Sequence, residues 1–174
     1  DSSAAALRRG DWVFIGAQSG IDPPNPSNKE GKTDSPRTWC GSVVAAQTER
    51  ALEKLAEIAK IAGTRLEQAV KAEVYIGHAQ DFSEMDDVWK TWFPHNPPAR
   101  VVVPYMGMGT AGSRVEIALT LLAEDATITK QTVETDRAPP QPGHEPQAVK
   151  AGNFLFFSTQ MAFDSRGVLA EGMV

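Results

Sequence analysis

The chain has 174 residues, of which 41% are hydrophobic and 22% charged, and its formal net charge is −5. This composition predicts a folded domain with a substantial core, and it argues against intrinsic disorder and against a large basic surface for nucleic acid. The sequence has neither the roughly 18 uninterrupted apolar residues of a membrane span nor the pattern of a signal peptide, so we expect a cytoplasmic protein without a membrane partner.

Patterns typical of strands and helices alternate along the first half of the chain. Trp12–Gln18 predicts a strand, and residues 21–40, which include four prolines, predict a surface loop. A helix is predicted from about Ser42 to a stop at Gly63, because apolar residues recur there every three or four positions. Residues 68–76 then predict a half-buried strand.

A second helix and two further strands are predicted next. Asp81 and Glu84 form a plausible capping box at the start of the helix, and a run of prolines ends it. Residues 99–106 and 114–122 predict two strands. The short glycine-rich connection GMGTAG between them predicts a hairpin.

The order of these elements predicts an α+β sandwich, in which two helices cover one face of a mixed β-sheet formed by residues 1–125. Residues 126–146 are charged and then rich in proline, which predicts a linker. After it, GNFLFFSTQMAFD (152–164) repeats GDWVFIGAQSGID (10–22) at a fixed offset of 142. We therefore predict that residues 147–174 are the first strands of a second, incomplete copy of the domain.

The strand edges of such a fragment would be unpaired, and proteins generally cover exposed edges. We therefore expect residues 147–174 to pair with another polypeptide. The partner would be the remainder of a longer or cleaved chain, or a neighbouring subunit.

Two familiar types of site are disfavoured by the sequence. GMGTAG matches the G-x-G-x-x-G dinucleotide motif, but a strand pattern follows it where that motif requires a helix. The three histidines lie far apart, and the single cysteine, Cys40, excludes an internal disulfide. We expect no metal site and no nucleotide cofactor.

Two charged residues stand where the strand patterns should be apolar, namely Arg100 and Glu116. If their strands form a hairpin, the two side chains can converge on one face of the sheet. One interpretation is a structural ion pair or a solvated face, since buried charges are costly unless paired. The other is a site in which the guanidinium binds an anion while the carboxylate handles a proton or a water molecule.

Several segments resemble the YjgF/RidA family of enamine and imine deaminases. They are DFSEMDDVWKTWFP (81–94), NPPARVVV (96–103) and RVEIALTLLA (114–123), and QAVKAGNFLFFSTQ (147–160) is similar to the opening strands of that family. The resemblance implies a chorismate-mutase-like α+β fold that usually assembles as a trimer with sites between subunits. For a duplicated chain it implies a homo- or pseudo-trimer.

The same resemblance implies roles for individual residues. Arg100 would hold a substrate carboxylate and Glu116 would position the attacking water, without any metal or organic cofactor. The positions that line the family's pocket would here be substrate-binding: Gly16, Ala17, Val102, Ser158 and Thr159. At two other positions the chain departs from the family, since Glu145 replaces a tyrosine in the second copy and Asp86 replaces an asparagine.

The predicted function is therefore hydrolytic deamination of a small imino or enamino acid to a 2-oxo acid and ammonia. Because the pocket walls differ from the family's pattern, a larger or differently charged enamine, such as an aminomuconate-type compound, is as plausible as the simplest imines. The alternative is a non-catalytic module that binds a small metabolite, or acts like a chaperone, through the same cleft. RNA is a poor third choice, because the chain is acidic and lacks a basic stripe studded with aromatic residues.

Overall fold

The computed structural model describes residues 4–22, 42–164, 166 and 168. The predicted loop at 21–40, including Cys40, falls almost wholly outside these residues. Residues 4–22 and 42–123 form an α+β fold of the predicted chorismate-mutase-like type. Its mixed sheet has the strand order β1-β2-β5-β3-β4 and is formed by β1 (Ala6–Arg9), β2 (Trp12–Ser19), β3 (Ala69–Ile76), β4 (Ala99–Pro104) and β5 (Val115–Leu122).

The two predicted helices are α1 (Val43–Ile61) and α2 (Phe82–Trp92), and their apolar faces share one core with the sheet. The hydroxyl of Ser42 caps α1 by accepting hydrogen bonds from two backbone amides in its first turn. The capping box predicted for α2 is wrong. Asp81 instead pairs with Arg114, and its carboxylate accepts a hydrogen bond from the amide of His78 in the preceding turn.

The predicted hairpin between β4 and β5 is also wrong, because β3 lies between them. β3 pairs with β4 in parallel and with β5 in antiparallel orientation. The glycine-rich connection at 107–112 therefore crosses the end of β3. This topology gives β3 a partner on both sides, which suits a strand whose Ala72, Val74 and Ile76 are buried in the core.

A second, three-stranded sheet contains β6 (Lys130–Val133), β7 (Ala148–Ala151) and β8 (Phe154–Phe157). β6 lies in the segment predicted to be a linker. The hairpin β7–β8 has the same register as β1–β2 at the offset of 142 residues. Gly10 and Gly152, with φ of 58° and 55°, occupy the same turn position, where a positive φ favours glycine. The proposed boundaries of a second domain stay a prediction.

The second sheet rests on the first through a small apolar cluster. Val149 and Ala151 of β7 are buried against three residues of the first sheet, namely Val70, Ala99 and Leu122. Trp12 packs edge-on against Phe154 and Phe156 of β8, with ring centroids 5.3 and 5.9 Å away. This packing brings the end of β8 to the free edge of β4. Among the described residues, no helix is long and apolar enough to cross a membrane.

Candidate functional site

Arg100 lies on β4 and is fully buried, with no exposed surface. It stands opposite Ala72 in the sheet, so its side chain projects towards the helices. The guanidinium lies over two aromatic rings of α2, with its central carbon 4.9 Å from the Trp89 ring centre and 5.4 Å from that of Phe82. These rings stabilise a cation that water cannot reach.

Two buried carboxylates balance this cation. The Arg100 Nη2 donates to Asp86 Oδ1 at 2.6 Å and also to the carboxylate of Glu145. The other oxygen of Asp86 lies 3.0 Å from the ammonium of Lys90, one turn further along α2. Arg100 is therefore paired with two buried carboxylates, as a buried charge requires, while the half-exposed Lys90 pairs with both Asp86 and Asp87.

The guanidinium retains donors that protein acceptors do not fully use. Nε has no hydrogen-bond partner among the described residues. Within the part of the chain that the structure describes, Nη1 reaches only the sulfur of Met85, at 3.5 Å, and a thioether is a weak acceptor. A carboxylate that approached along the Nε side could make a bidentate pair that neither Asp86 nor Glu145 makes.

Ser158 and Thr159 pair with the free edge of β4. The hydroxyl of Ser158 accepts the amide hydrogen of Arg100 at 3.0 Å and donates to the carbonyl of Pro146. Thr159 donates its own amide to the Arg100 carbonyl at 2.9 Å, and its hydroxyl accepts the Val102 amide at 3.0 Å. Four of the seven predicted site residues, Arg100, Val102, Ser158 and Thr159, are thus brought together.

A cavity of about 340 Å³ opens beside this group of residues. Its polar lining side chains are Glu145 and Thr159, and the other lining residues are apolar: Ile76, Ala79, Phe82, Val102, Pro104, Pro142 and Met161. A wider groove of about 780 Å³ runs along α1 and is lined by charged side chains. We assign the site to the smaller cavity, because three of its lining residues, Phe82, Glu145 and Thr159, contact Arg100.

The structure does not bring Glu116 to Arg100. Glu116 pairs with Tyr75 of β3, whereas Arg100 pairs with Ala72, three positions away on the same strand. Since successive side chains alternate between faces, the two residues project from opposite faces of the sheet. The expected convergence of the two charges on one face is therefore wrong within a single chain.

Gly16 and Ala17 lie on the Glu116 side of the molecule. They occupy an irregularity in β2, directly before the segment whose Ser19 pairs with Glu116. Gly16 borders a small cavity with Lys71 and Glu73 on the sheet face away from the helices. The predicted site is thus divided into two groups: one around Arg100, and one formed by Glu116 with Gly16 and Ala17.

No three histidine, cysteine, aspartate or glutamate side chains within the described part of the chain form a group suited to a metal ion.

Comparison with known proteins identifies the family to which this fold belongs. The family model described as Endoribonuclease L-PSP matches residues 2–123. This chain belongs to that family, the YjgF/RidA family. A 2-iminobutanoate/2-iminopropanoate deaminase of Bos taurus is 32% identical over 105 residues, which cover 60% of this chain and 68% of the relative.

Two further members of the YjgF/RidA family show the same relationship. A RutC family protein of Pyrococcus abyssi is 31% identical over 98 residues, covering 56% of this chain and 68% of that protein. The crystal structure of RidA from an Antarctic Psychrobacter is 27% identical, with a TM-score of 0.56 over 70% of this chain and 89% of that one. The similarity therefore covers most of each relative.

Two residues of the site in this YjgF/RidA-family chain were not among the predicted site residues. Asp86 and Glu145 both contact Arg100, although they lie 14 and 45 positions from it in the sequence. The sequence did carry a sign of this role, because Asp86 and Glu145 each place a carboxylate where the family's pattern has a neutral residue. An acidic residue at two pocket positions beside an arginine indicates new partners for that arginine.

The pKa values of the two carboxyl groups shift in opposite directions. Burial raises the pKa of Glu145; the nearby Arg100 opposes this effect, and the charge of Asp86 adds to it. Burial alone would also raise the pKa of Asp86, but hydrogen bonds from the His144 amide and from Arg100 lower it below its ordinary value. Glu145 is therefore the carboxylate of this pair that protonates more readily.

Replacing Glu145 with glutamine should change how stability depends on pH. Because the pKa of Glu145 is higher in the folded protein, its contribution to stability is complete below its unfolded pKa of about 4.3 and is lost as the pH rises through the folded value. We expect the stability of the wild type relative to Glu145→Gln to fall as the pH rises from about 4. Urea unfolding at a series of pH values measures this difference.

The matched control for this prediction is Glu134→Gln, which removes the charge of an exposed residue whose Oε1 accepts the Gln147 amide, a hydrogen bond that the amide oxygen of glutamine can keep. At each pH the stability change in Glu145→Gln is compared with that in Glu134→Gln, so that the general effect of removing a carboxylate is subtracted. A wild-type advantage over Glu145→Gln that grows with pH would contradict the prediction.

Proposed function

We propose that this chain hydrolyses the C=N bond of an imine, or of the enamine in equilibrium with it, to a carbonyl compound and ammonia. Water adds its oxygen to the imine carbon and one of its protons passes to the nitrogen, which gives an amino alcohol. The hydroxyl proton then also passes to the nitrogen, and the C–N bond breaks as the C=O bond forms and ammonia leaves. The observation that carries the proposal is the buried guanidinium of Arg100, with unused donors beside a mostly apolar cavity. Family membership and the relatives named as imine deaminases support it.

Arg100 would bind the carboxylate of a 2-imino or 2-enamino acid. A bidentate guanidinium–carboxylate pair fixes both position and orientation, which holds the electrophilic carbon for attack. Val102 and Thr159 border the cavity, and Ser158 holds the edge of β4 beside it. The apolar lining suits an unsaturated carbon chain, so an aminomuconate-type enamine fits the proposal as well as smaller imines do.

A carboxylate is also needed to handle the proton of the attacking water. Glu145 lines the cavity, whereas Glu116 lies on the opposite face of the sheet. Glu116 could act on a substrate held by Arg100 only if a second subunit or domain copy supplied it. We therefore include in the proposal a homo- or pseudo-trimer with shared sites, in which the Glu116 group of one unit meets the Arg100 group of another.

The test uses an imino acid generated in situ by an amino-acid oxidase, with hydrolysis followed in the presence of each variant. We expect the wild type to accelerate hydrolysis, and Arg100→Met and Glu116→Gln each to reduce the acceleration about 100-fold or more. A mixture of the two variants, dissociated and reassembled, should recover part of the activity if sites are shared. A wild-type rate equal to the enzyme-free rate would exclude the proposed activity for that substrate class.

One observation favours the second candidate, a non-catalytic binding module. In the single chain, Arg100 already has two carboxylate partners, and Glu116 is on the other face of the sheet. Saturable binding of 2-oxo acids without any imine hydrolysis would support that function instead. A monomeric solution size would also count against the catalytic proposal, because that proposal requires an assembly.

A further inference from the structure

Glu145 occupies the position on Arg100 that an incoming carboxylate would need. Its carboxylate is hydrogen-bonded to Nη2 of the buried guanidinium, and its side chain is 1% exposed. The same residue lines the cavity described above. A carboxylate from the chain itself therefore stands between the cavity and the arginine.

The segment around Glu145 is fixed on both sides. The His144 amide donates to Asp86 Oδ1 at 3.0 Å, and its ring nitrogen lies 2.8 Å from the carbonyl of Phe93. On the other side, the carbonyl of Pro146 accepts the hydroxyl of Ser158. A carboxylate held in place at both ends competes for Arg100 at a high effective concentration, because binding does not require it to give up free diffusion.

Glu145 and a ligand carboxylate cannot both be ionised at Arg100 without an uncompensated charge. Arg100 already pairs with Asp86 and Glu145, and the other nearby cation, Lys90, is half exposed and pairs with Asp86 and Asp87. A third carboxylate at the buried guanidinium would therefore have no cation of its own while Glu145 stays ionised, which is costly. Backbone crowding adds to this exclusion, since a Cβ placed on Gly143 would lie 2.5 Å from Nη2 of Arg100.

We propose that Glu145 is a built-in competitor of substrate, which occupies Arg100 and must leave it before a carboxylate-bearing compound can bind there. The inference rests on the proposed function only in taking Arg100 as the carboxylate receptor. Displacement of Glu145 by a ligand is favoured because Glu145 contacts only Nη2 of Arg100, whereas Nε has no partner among the described residues. A ligand that engages both nitrogens gains a hydrogen bond that Glu145 does not make.

The consequence is a reduced affinity for carboxylates. If Arg100 is free in only a fraction of molecules, the apparent dissociation constant equals the intrinsic one divided by that fraction. A competitor that occupies nine tenths of the molecules or more weakens binding about tenfold or more. The free carboxylate of Glu145 would then lie in the cavity, where it is available to the proton chemistry of the bound imine.

The experiment measures binding of 2-oxobutyrate by calorimetry and is independent of catalytic activity. We expect Glu145→Gln to bind this carboxylate at least about tenfold more tightly than the wild type. Glu145→Asp, which keeps the charge but is one methylene shorter, should be intermediate. Glu134→Gln, the matched control on the same segment, should bind like the wild type, and Arg100→Met combined with Glu145→Gln should lose the gain.

Binding of the methyl ester of 2-oxobutyrate distinguishes competition for Arg100 from a mere widening of the cavity in Glu145→Gln. Its affinity should be unchanged in Glu145→Gln, because it carries no charge for Arg100. Equal tightening for acid and ester, or no tightening for the acid, would overturn the proposal. An absence of imine hydrolysis in all variants would count against the proposed activity alone, since the binding comparison does not depend on turnover.

Discussion

Replacing Arg100 with alanine should destabilise the protein by about 3–5 kcal/mol at neutral pH. The guanidinium is fully buried and pairs with Asp86 and Glu145, so its removal leaves two buried carboxylates without their shared cation. Breaking a buried pair from one side is costly, because Glu145 would lose its cation and Asp86 would keep only the half-exposed Lys90. Urea unfolding measures the loss of stability.

Two further variants separate the charge from the packing. Arg100→Met keeps an apolar side chain over the Trp89 and Phe82 rings, so it should recover part of the packing but none of the pairing. Combining Arg100→Met with Glu145→Gln removes one of the two buried carboxylates that have lost Arg100, and we expect this double variant to be more stable than Arg100→Met alone. A loss below about 1 kcal/mol for Arg100→Ala would mean that the cluster is not buried as described.

Replacing Trp89 with alanine should also cost about 3–5 kcal/mol. Its ring is fully buried in the core, 4.3 Å from the ring centre of Phe93 and directly beneath the guanidinium of Arg100. The substitution would leave a large cavity between α2 and the sheet, and the surrounding side chains can relax into it only in part. Thermal or urea unfolding reports the change.

Trp92 on the same helix provides the matched control. It is half-buried, and its indole nitrogen donates to Glu49 at the surface, so Trp92→Ala should cost only about 1 kcal/mol. Trp89→Phe should be milder than Trp89→Ala. The indole nitrogen of Trp89 has no acceptor among the described residues, so this change sacrifices ring volume and no hydrogen bond. Similar losses for Trp89→Ala and Trp92→Ala would contradict the assignment of Trp89 to the core.

Periodicity was sufficient for most of the elements. The predicted strand at 68–76 and helix from Ser42 correspond closely to β3 and α1, because alternation and three-to-four spacing report directly which side of an element is buried. The same information could not reveal β1 or β6, since both strands are only four residues long and mostly exposed. A short exposed strand has too few apolar residues for a detectable period.

Strand pairing was the weak step of the prediction. A short connection usually joins neighbouring antiparallel strands, and the GMGTAG segment favoured a hairpin for that reason. The fold instead inserts β3 between β4 and β5. That insertion moves Glu116 to the face opposite Arg100, so one error of topology changed the predicted geometry of the site.

The sequence by itself determined the α+β class, the repeat of residues 10–22 at 152–164 and the family, because these follow from local patterns and from motifs such as PPAR and VEI. Only the tertiary structure decided the partners of Arg100. Glu145 is 45 positions away and reaches the guanidinium because β7 and β8 pack on the first sheet and bring residues 143–147 over α2. Local patterns record burial and backbone preference, whereas a contact of this kind depends on how distant segments compete for the same surface.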